Sequence, residues 1–454
     1  MTTLYNLSEN IDHNKVFIVQ RSEMEDRWDP MYYRPEIANL EKKVRAVAAK
    51  KLRDYIIRIS SGATPLVKEE EKFYSDKENG IPFLRVQNLQ TNGKLLLEDV
   101  KYINKITHDD YLRRSQVSEG DLLVKITGVG RMAIASVAPD NFVGNTNQHM
   151  VVIKTQNKET SEYLANYLNL DIVEKLASRR ATGGTRPALD YSALKSIPIV
   201  EGINFTLIRE AERLKQQKEN EAEVLLATID DYLLNELKIE LLKKDDNLQS
   251  RIFMTQFSEI TNVRFDPFFQ KTKNDKIKSV KYDNITLRTI ARIKKGQSIT
   301  KEKIVSGKYP VIAGGKTSPY SHNEYNSEGN CITVSASGAY AGYVWYHATS
   351  IFASDCIVIT SINEEEVLTK YIYELLRLKQ SEIYLMQQGA GQPHVYPVDL
   401  AKIKIPVVPI EKQCSIVSYI QNIRLQVKVL QQEANDILEQ AKKQIEKEIL
   451  REIV

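Results

Sequence analysis

The chain has 454 residues, 42% of them hydrophobic, and its 63 basic and 59 acidic residues leave a formal net charge of only +4. This balance is typical of a soluble globular protein with two or more domains, and it does not by itself indicate a nucleic-acid-binding surface. Three scattered cysteines argue against a disulfide framework or a zinc site. The lack of a signal-like N-terminus and of an apolar run of about 20 residues predicts a soluble cytoplasmic protein.

The predicted elements form two similar series along the chain. A polar lead-in ends in a predicted helix at 35–50, and a strand-rich domain follows from residue 52 to about residue 200. Its β-branched segments, separated by Gly, Asn and Asp, predict the strands, and one apolar periodic segment predicts a helix. The strands are predicted at 55–59, 121–126 and 150–154, and the helix at 161–178. Residues 287–408 repeat the plan, with a helix near 364–386.

Five segments of the chain recur in the same order. They are RWDPMYY (27–33) and RFDPFFQ (264–270), LRDYIIRISSG (52–62) and LRTIARIKKG (287–296), IPFLRV (81–86) and YPVIAG (309–314), EGDLLVKITG (119–128) and EGNCITVSASG (328–338), and SIPIV (196–200) and KIPVV (404–408). The copies start 237 residues apart at the first pair and 208 apart at the last. Solenoid repeats are only about 20–50 residues long, so the pattern indicates a duplicated domain.

A long charged segment follows each copy and carries a heptad seam. The second seam consists of Ile416, Ile420, Ile423, Val427, Leu430, Ala434, Ile437 and Ala441. The first is weaker and consists of Leu207, Ala211, Leu214, Lys218, Glu221, Leu225, Thr228 and Tyr232, beside a second row of Leu226, Ile229, Leu233 and Leu237. We expect the two helices to pair antiparallel within the chain, because each polar-interrupted seam alone would be a poor helix in water. The alternative is that each helix caps its own domain.

The second helix would run from about 411 to 449, a length of roughly 55–60 Å. This equals the length of about 16 to 17 base pairs. A rigid pair of helices with this length would act as a ruler between two similar domains.

Four segments resemble catalytic or cofactor motifs, and each departs from its motif. The DPMY turn at 29–32 lacks the second proline of amino-methyltransferase loops, and no helix is predicted after GVGRMA at 128–133. GGKTS at 314–318 lacks the first glycine of a phosphate loop, and SASG at 335–338 is not a nucleophile elbow. The six histidines have no ligand spacing, so the sequence predicts no active site or metal site.

The duplicated set of motifs resembles the specificity (S) subunit of type I restriction-modification systems. The resemblance rests on five motifs in a fixed order, and a long helix follows each copy of the series. The motifs are R-x-D-P-x-[YF]-[YF], L-x-x-I-x-x-I-x-x-G, IP-[FY]-L-R-x-x-N-L, EGDLLV with its glycine loop, and a closing IP-x-[PV]. It implies an α+β fold with two similar target-recognition domains and two long antiparallel paired helices, related by an internal pseudo-two-fold repeat. The domain bounds are then 1–200 with a lead-in at 1–50, a central helix at 201–245, a second recognition domain at 246–408 and a last helix at 409–454.

The resemblance implies a non-catalytic adaptor of the prokaryotic cytoplasm, in which each domain reads one half of a split DNA site. Two methyltransferase (M) subunits would dock on the helices and methylate adenine N6, and restriction (R) subunits would add translocation and cleavage. S-adenosylmethionine, ATP and Mg are expected only in those partners. IPVVPIEKQ at 405–413 is close to the family's IP-x-P-P-x-x-x-Q at the start of the helix, whereas IPIVEGINF at 197–205 departs from it. Docking at the first copy is therefore less secure.

Candidate DNA contacts lie in three loops of each copy. In the first copy they are Arg85, Gln87, Asn88, Lys125, Thr127, Arg131, Arg179, Arg180, Thr185 and Arg186, and in the second Lys316, Ser318, Tyr320, Ser335, Ser337, Tyr340, Gln387, Gln388, Gln392 and His394. Arginine pairs with guanine, and asparagine or glutamine with adenine, so Gln87, Arg186, Gln388 and Gln392 are the predicted base readers. Phosphate binding is the alternative for Lys125, Arg131, Arg179, Arg180 and Lys316. A structural turn is the alternative for Asn88, Ser335 and Ser337.

The two copies differ at nearly all of these positions, which predicts two different half-sites. Two other classes of protein remain open on the residues alone. One is a self-sufficient DNA methyltransferase or nuclease, and the other is a coiled-coil scaffold without a DNA role.

Overall fold

The computed structural model describes residues 10–25, 27–66, 69–239, 252, 254, 278–389 and 391–451. The chain forms two compact units, and each takes part of both long helices. Unit 1 comprises Met1–Gln217 and Glu433–Val454, and unit 2 comprises Lys218–Gln432. The predicted second lead-in at 264–270 and the start of the predicted domain at 246–408 lie outside the described residues.

The described residues of unit 1 form three β-sheets and a layer of helices. Its strands are β1 (Lys50–Lys51), β2 (Arg58–Ser61), β3 (Tyr74–Ser75), β4 (Ile81–Leu84), β5 (Lys101–Ile103), β6 (Gln116–Ser118), β7 (Leu122–Lys125), β8 (Ala135–Val137), β9 (Val143–Thr146), β10 (Met150–Lys154) and β11 (Pro198–Ile199). Its helices are α1 (Pro35–Val47), α2 (Glu70–Phe73), α3 (Lys158–Leu168), α4 (Asp171–Arg180), α5 (Tyr191–Lys195) and the first part of α6 (Thr206–Glu236). The sheets have strand orders β2-β10-β7-β8, β3-β5-β4-β9-β6 and β1-β11.

The central sheet of unit 1 is buried on both faces. On one face Val124 and Val151 pack against Leu164 and Leu176 of the helices. On the other face, side chains such as Leu123 pack against residues of the five-stranded sheet. This position between two layers explains why β7 is apolar at consecutive positions, because a half-exposed strand would alternate.

Unit 2 repeats this plan. Its strands are β12 (Asn284–Thr286), β13 (Ala291–Lys295), β14 (Tyr309–Ile312), β15 (Ser321–His322), β16 (Cys331–Ser335), β17 (Val344–His347), β18 (Phe352–Ala353), β19 (Cys356–Ser361) and β20 (Lys404–Pro406). Its helices are the second part of α6, α7 (Leu287–Ile290), α8 (Thr369–Leu378), α9 (Gln380–Tyr384), α10 (Pro397–Leu400) and the first part of α11 (Ile410–Arg451).

The duplication predicted from the sequence is confirmed by the strand pairing. The four-stranded sheet of unit 2 has the order β13-β19-β16-β17, which matches β2-β10-β7-β8 strand for strand. A parallel pair occurs in each unit, β4 with β9 and β14 with β18, and a short antiparallel pair closes each domain, β1 with β11 and β12 with β20. The predicted α+β class and internal repeat are therefore correct.

Two predicted helices are each broken in the structure. The helix predicted at 161–178 is α3 followed by α4, and the one predicted at 364–386 is α8 followed by α9. The first break lies at Asn169, whose side chain is 2% exposed and bonds to both backbone groups of Ala135, at 2.8 and 3.1 Å. These two bonds fix the break between α3 and α4 against strand β8.

The long helices pair antiparallel within each unit, as predicted. In unit 1, Lys215 of α6 donates to the Asn435 side chain of α11 at 3.0 Å, and Ile208 shares a core with Ala441. In unit 2, the Tyr232 ring stacks on Tyr419 with centroids 4.0 Å apart, and Lys412 pairs with Glu236 at 2.9 Å. In both units the residue numbers of the contacting pairs run in opposite directions. The alternative, in which each helix only caps its own domain, is therefore wrong.

The α11 seam is buried at the predicted positions. In unit 2 these are Ile416, Ile420, Ile423 and Val427 with Leu430 half-buried, and in unit 1 Ala434 and Ala441 with Ile437 packed against the core, followed by Ile445 and Ile449.

The α6 seam needs a correction. Ala211 is buried, while Leu207 and Leu225 pack against the cores, but Leu214 is 39% exposed and belongs to neither core. The buried row continues through Ala222 and Ile229 instead, because the helix keeps a 4-3 spacing from Ala211. Lys215 lies in this row, and its aliphatic stem can cover apolar surface while its ammonium reaches Asn435.

Two different anchors hold the start of the long helices. At α11, the amide of Gln413 is fully buried; its nitrogen donates to Val408 O at 2.7 Å and Glu366 O at 2.8 Å, and its oxygen accepts from Leu368 N at 3.0 Å. At α6, the matching position in the repeat is Phe205, which is 2% exposed and packs edge-on against Tyr163 with centroids 5.3 Å apart. The departure of the first copy from the family motif thus replaces a polar anchor by an apolar one.

A buried carboxylate joins the lead-in of unit 1 to helix α4. Glu41 of α1 is 2% exposed and pairs with Arg179, Arg180 and Arg45. The Arg179 guanidinium also lies over the Tyr32 ring at 4.0 Å. Burial acts to raise the pKa of Glu41, but the neighbouring arginine charges outweigh it and hold that pKa below its usual value of 4.5.

We predict that Gln413→Ala lowers the free energy of unfolding by about 3 kcal/mol, because three backbone groups lose their partner and the bond to Val408 O is fully buried. The measurement is denaturant unfolding followed by circular dichroism. Gln421→Ala is the control, since Gln421 is exposed on the same helix, and it should change stability by less than about 0.5 kcal/mol. Equal effects of the two substitutions would contradict the anchoring role of Gln413.

We predict that Glu41→Gln destabilises the protein by about 3–5 kcal/mol at neutral pH, because it leaves buried guanidinium groups without a counter-charge. The pKa of Glu41 is lowered by folding, so its contribution is complete above pH 4.5 and is lost as the pH falls through the lowered value. The difference between the two proteins should therefore shrink in acid. Urea midpoints measured from pH 7 to pH 3 test this, and a difference that stays constant would contradict it.

Candidate nucleic-acid interface

Two of the predicted loops of unit 1 meet at one end of the central sheet. The glycine loop after β7 and the loop after α4 are joined by a hydrogen bond from Gly128 N to Pro187 O at 3.0 Å. Leu189 N donates to Ile126 O at 2.8 Å, which continues the contact. The predicted loops at 125–131 and 179–187 therefore form one surface.

The loop after α4 is a tight hairpin with an exposed tip. Thr182 and Ala188 exchange two backbone hydrogen bonds of 2.8 Å each. Gly183 has φ +96°, and a Cβ there would lie 3.1 Å from Arg186 O, so the turn favours glycine on both counts. Thr185 and Arg186 are exposed at the tip. The hairpin therefore presents two of the predicted contacts to solvent.

The segment before β10 forms the third part of the surface. His149 O accepts hydrogen bonds from Ile126 N at 3.0 Å and Thr127 N at 3.3 Å. The Nε2 atom of the same histidine lies 3.3 Å from the Arg186 guanidinium. Burial and the nearby Arg186 charge both lower the pKa of His149 below 6.5, so the imidazole is neutral at neutral pH. It then accepts at Nε2 from Arg186 and orients that side chain.

The predicted loop at 85–88 lies beside this segment, because Asn147 N donates to Leu84 O at 3.3 Å. Gln87 is exposed and donates to Asp99 at 2.7 Å, and Arg85 lies 3.5 Å from the same carboxylate. Asn88 has no exposed surface, and its amide bonds to three backbone groups. Asn88 is therefore a structural residue of this loop.

Four predicted cations of unit 1 are engaged within the protein. Lys125 is 4% exposed and donates to Val129 O at 2.8 Å, and burial lowers its pKa. Arg131 bonds to Asp171 at 2.5 Å and Asn169 O at 2.6 Å. Arg179 and Arg180 are paired with Glu41, as described above. These contacts hold the loops in place, and the four side chains are structural residues of this surface.

Unit 2 builds the same surface from different residues. Gly338 N donates to Pro393 O at 3.0 Å, and Val395 N donates to Ala336 O at 3.0 Å, as at Gly128 and Leu189 in unit 1. Gln388 and His394 exchange two bonds of 2.8 Å, and Gly389 has φ +98°, close to that of Gly183. Gln392 is exposed at the tip of this hairpin. It occupies the position that Arg186 has in unit 1.

The predicted loop at 314–320 packs on this surface. A Cβ at Gly314 would lie 2.4 Å from Ser337 O, so only glycine fits there. Lys316 is exposed, with its ammonium 4.8 Å from the centre of the Tyr340 ring, which is itself 45% exposed. Tyr320 is 44% exposed, whereas the Ser318 hydroxyl donates within its own turn, to Val311 O at 2.9 Å. Lysine and tyrosine at an exposed rim suit phosphate contacts.

The other predicted contacts of unit 2 are less accessible. Ser335 and Ser337 are 3% and 7% exposed. Gln387 donates to Ala341 O at 2.7 Å, and Gln388 donates to Asp399 at 2.9 Å, so both amides are engaged within the loops. His394 is half-buried and lies beside the Tyr396 ring. Ser335, Gln387 and Gln388 are therefore structural residues of this surface.

Sequence reasoning missed the residues that precede the central strands of each sheet. These are Gln148 and His149 before β10 and Asp355 before β19. The signal was present in the first copy: β10 was predicted correctly, and its start must lie beside the end of β7, which carries the glycine loop. In the second copy β19 was not predicted as a separate strand.

Both surfaces offer donors and acceptors for bases and phosphates, and neither resembles a catalytic centre. Neither the loop at 128–133 nor the one at 314–318 leads into a helix, as dinucleotide or phosphate loops do. Among the residues that the structure describes, no group of three or more His, Cys, Asp or Glu side chains could hold a metal ion. No helix in the described ranges is long and apolar enough to cross a bilayer.

Comparison with known proteins gives consistent matches. A putative type I specificity subunit of Mycoplasma pneumoniae is 29% identical over 126 residues, which is 27% of this chain and 33% of that relative. The match thus spans about a third of the curated relative. Among solved structures, the type I S subunit of M. genitalium aligns with a TM-score of 0.41 at 15% identity, covering 87% of this chain and 95% of that one. The HsdS subunit of Thermoanaerobacter tengcongensis aligns with a TM-score of 0.35 at 14% identity, covering 89% and 95%.

A family model also matches this chain. The type I restriction modification DNA specificity domain matches this chain twice, at residues 48–200 and at residues 279–453. The two matches contain the two sets of loops described above and together span well over half of the sequence. The chain therefore belongs to the type I restriction-modification DNA specificity family.

Proposed function

We propose that this chain is the specificity subunit of a type I restriction-modification complex and recognises an asymmetric DNA site in two halves, one half for each unit. The observation that carries this proposal is the duplicated loop surface. Its backbone hydrogen bonds are the same in both units, while the side chains at its exposed tips differ. A shared framework with different tips suits two readers of different base sequences.

The matched tips present different hydrogen-bonding groups. Arg186 offers paired donors, which suit the N7 and O6 atoms of guanine. Gln392 offers one donor and one acceptor, which suit the N6 and N7 atoms of adenine. Around them, Lys316 and the hydroxyl groups of Thr185 and Tyr340 would contact phosphates and so position the duplex.

The helix pair would dock two methyltransferase subunits, with restriction subunits joining the same complex. Leu425 and Val429, one turn apart on α11, are 60% and 48% exposed, and exposed apolar side chains on a helix favour protein contact. The catalytic groups, S-adenosylmethionine, ATP and Mg would reside in those partners. Purified alone, the chain should then transfer no methyl group from S-adenosylmethionine.

A genome-wide map of methylated adenines tests the proposal. Cells that contain this chain should show one bipartite asymmetric motif, which disappears when the gene is deleted. Arg186→Ala should relax one base position in one half of the motif, and Gln392→Ala one position in the other half, each at a cost of roughly 1–3 kcal/mol in binding.

Arg58→Ala is the matched control for these substitutions. Arg58 is exposed and lies opposite Lys154 in the pairing of β2 with β10, at the end of β10 away from the loops. The methylated motif should therefore not change on this substitution. If Arg186→Ala weakens all sequences equally, Arg186 contacts only phosphate. A motif that survives deletion of the chain would refute the proposal.

Lengthening the helix pair should change the gap between the half-sites. Seven residues inserted in both α6 and α11, after 217 and 432, keep the heptad phase and add about 10 Å, or about three base pairs. The methylated motif should then carry a longer gap between unchanged halves. The same gap after the double insertion would show that the helices do not set the spacing.

A further inference from the structure

His149 and Asp355 occupy the same place in the two copies. In β10 and β7, Met150 pairs with Lys125, and in β19 and β16, Cys356 pairs with Ser335. The residue before each inner strand also makes the same backbone contact: Ile126 N donates to His149 O at 3.0 Å, and Ala336 N donates to Asp355 O at 3.2 Å. A neutral imidazole in one copy is thus replaced by a carboxylate in the other.

Asp355 lies where the three loops of unit 2 meet. The Ser337 hydroxyl donates to its Oδ2 atom, and Ser337 forms a backbone bridge with His394 of the hairpin. The backbone of Ser337 is also the group against which Gly314 packs. Asp355 is half-buried at this junction and makes no ion pair within the described part of the chain. Its second oxygen, Oδ1, has no hydrogen-bond partner there.

We propose that Asp355 determines specificity in the half-site that unit 2 reads, by accepting a hydrogen bond from an exocyclic amino group of a base, N4 of cytosine or N6 of adenine. This inference rests on the proposed function and adds a base class to it. His149 has the corresponding role in unit 1, where it orients Arg186 toward a base that presents acceptors.

The charge of Asp355 supports this assignment. A carboxylate on a DNA-binding surface is repelled by phosphates, so its presence favours an exact partner among the bases. An ionised carboxylate only accepts hydrogen bonds, and Ser337 satisfies one of its two oxygens. In the major groove the amino groups of cytosine and adenine are donors, whereas O6 of guanine and O4 of thymine are acceptors that the carboxylate would repel.

A purely structural role is the competing explanation, in which Asp355 merely holds Ser337. Asp355→Asn separates the two roles. The amide oxygen of asparagine can still accept from Ser337, while its NH₂ group adds a donor that tolerates guanine and thymine. A structural residue would lose little on this substitution, whereas a base reader would lose its discrimination.

The test uses the full chain in complex with its methyltransferase subunits and a DNA library in which both half-sites are randomised. We expect the wild-type complex to select cytosine or adenine at one position of the second half-site. The sequences enriched from the library identify both the position and the base. Asp355→Asn should reduce discrimination at that position roughly tenfold and leave the first half-site unchanged. His149→Asn should affect only the first half-site.

Asp283→Asn is the control, since Asp283 is exposed in the same unit away from the loops, and its selected motif should equal that of the wild type. Each further outcome has one meaning. Two outcomes overturn this inference and leave the proposed function intact. In the first, the library yields a bipartite motif that Asp355→Asn does not change. In the second, every position that the substitution affects carries guanine or thymine in the wild-type motif. No enriched motif with the wild-type complex overturns both. If Asp355→Asn lowers the melting temperature, Ser337→Ala separates the two roles, because it keeps the carboxylate and removes only its hydroxyl partner. Selection of cytosine or adenine that survives Ser337→Ala supports the inference, and its loss overturns it.

Discussion

Burial of the α11 heptad stripe is the interaction on which both units depend. In unit 1, Ile445 and Ile449 lie in the same apolar cluster as the central strands, and in unit 2, Ile416 and Ile420 do. The helix pair is therefore part of each core rather than an attachment to it. Because an isolated helix with this many charges is marginal in water, the packing against the domains also stabilises the helices.

The same burial explains which polar residues the seams tolerate. Lys215 is tolerated in the α6 row because its ammonium donates to the Asn435 side chain, and the fully buried Gln413 bonds to three backbone groups. Glu374 is 2% exposed, and its carboxylate accepts hydrogen bonds from the two terminal nitrogens of Arg424, each at 2.6 Å. These bonds join α8 to α11. Each polar group in these contacts has a specific partner, so it fixes the register in which a helix packs on its domain.

The duplication, the α+β class and the α11 seam could be predicted from sequence because they depend on patterns that repeat along the chain. Part of the α6 seam was predicted one residue too early. The leucine at 214 suggested burial there, whereas Leu214 is exposed and the buried row continues through Ala222 and Ile229. The candidate site was harder. Charge and loop position suggested Arg179 and Arg180, but their partner Glu41 lies about 140 residues earlier in the chain, and no local pattern reveals such a contact.

The division between conserved framework and varied tip within this one chain has a physical basis. Backbone bonds such as Gly128 N to Pro187 O and Gly338 N to Pro393 O do not depend on the side chains at the tips, so Arg186 and Gln392 can differ without altering the loop. The positive-φ glycines 183 and 389 cannot differ in the same way, because a side chain there is strained. The side chains at the tips and at the residue before the inner strand can therefore diverge between the two copies, while the fold that presents them stays the same.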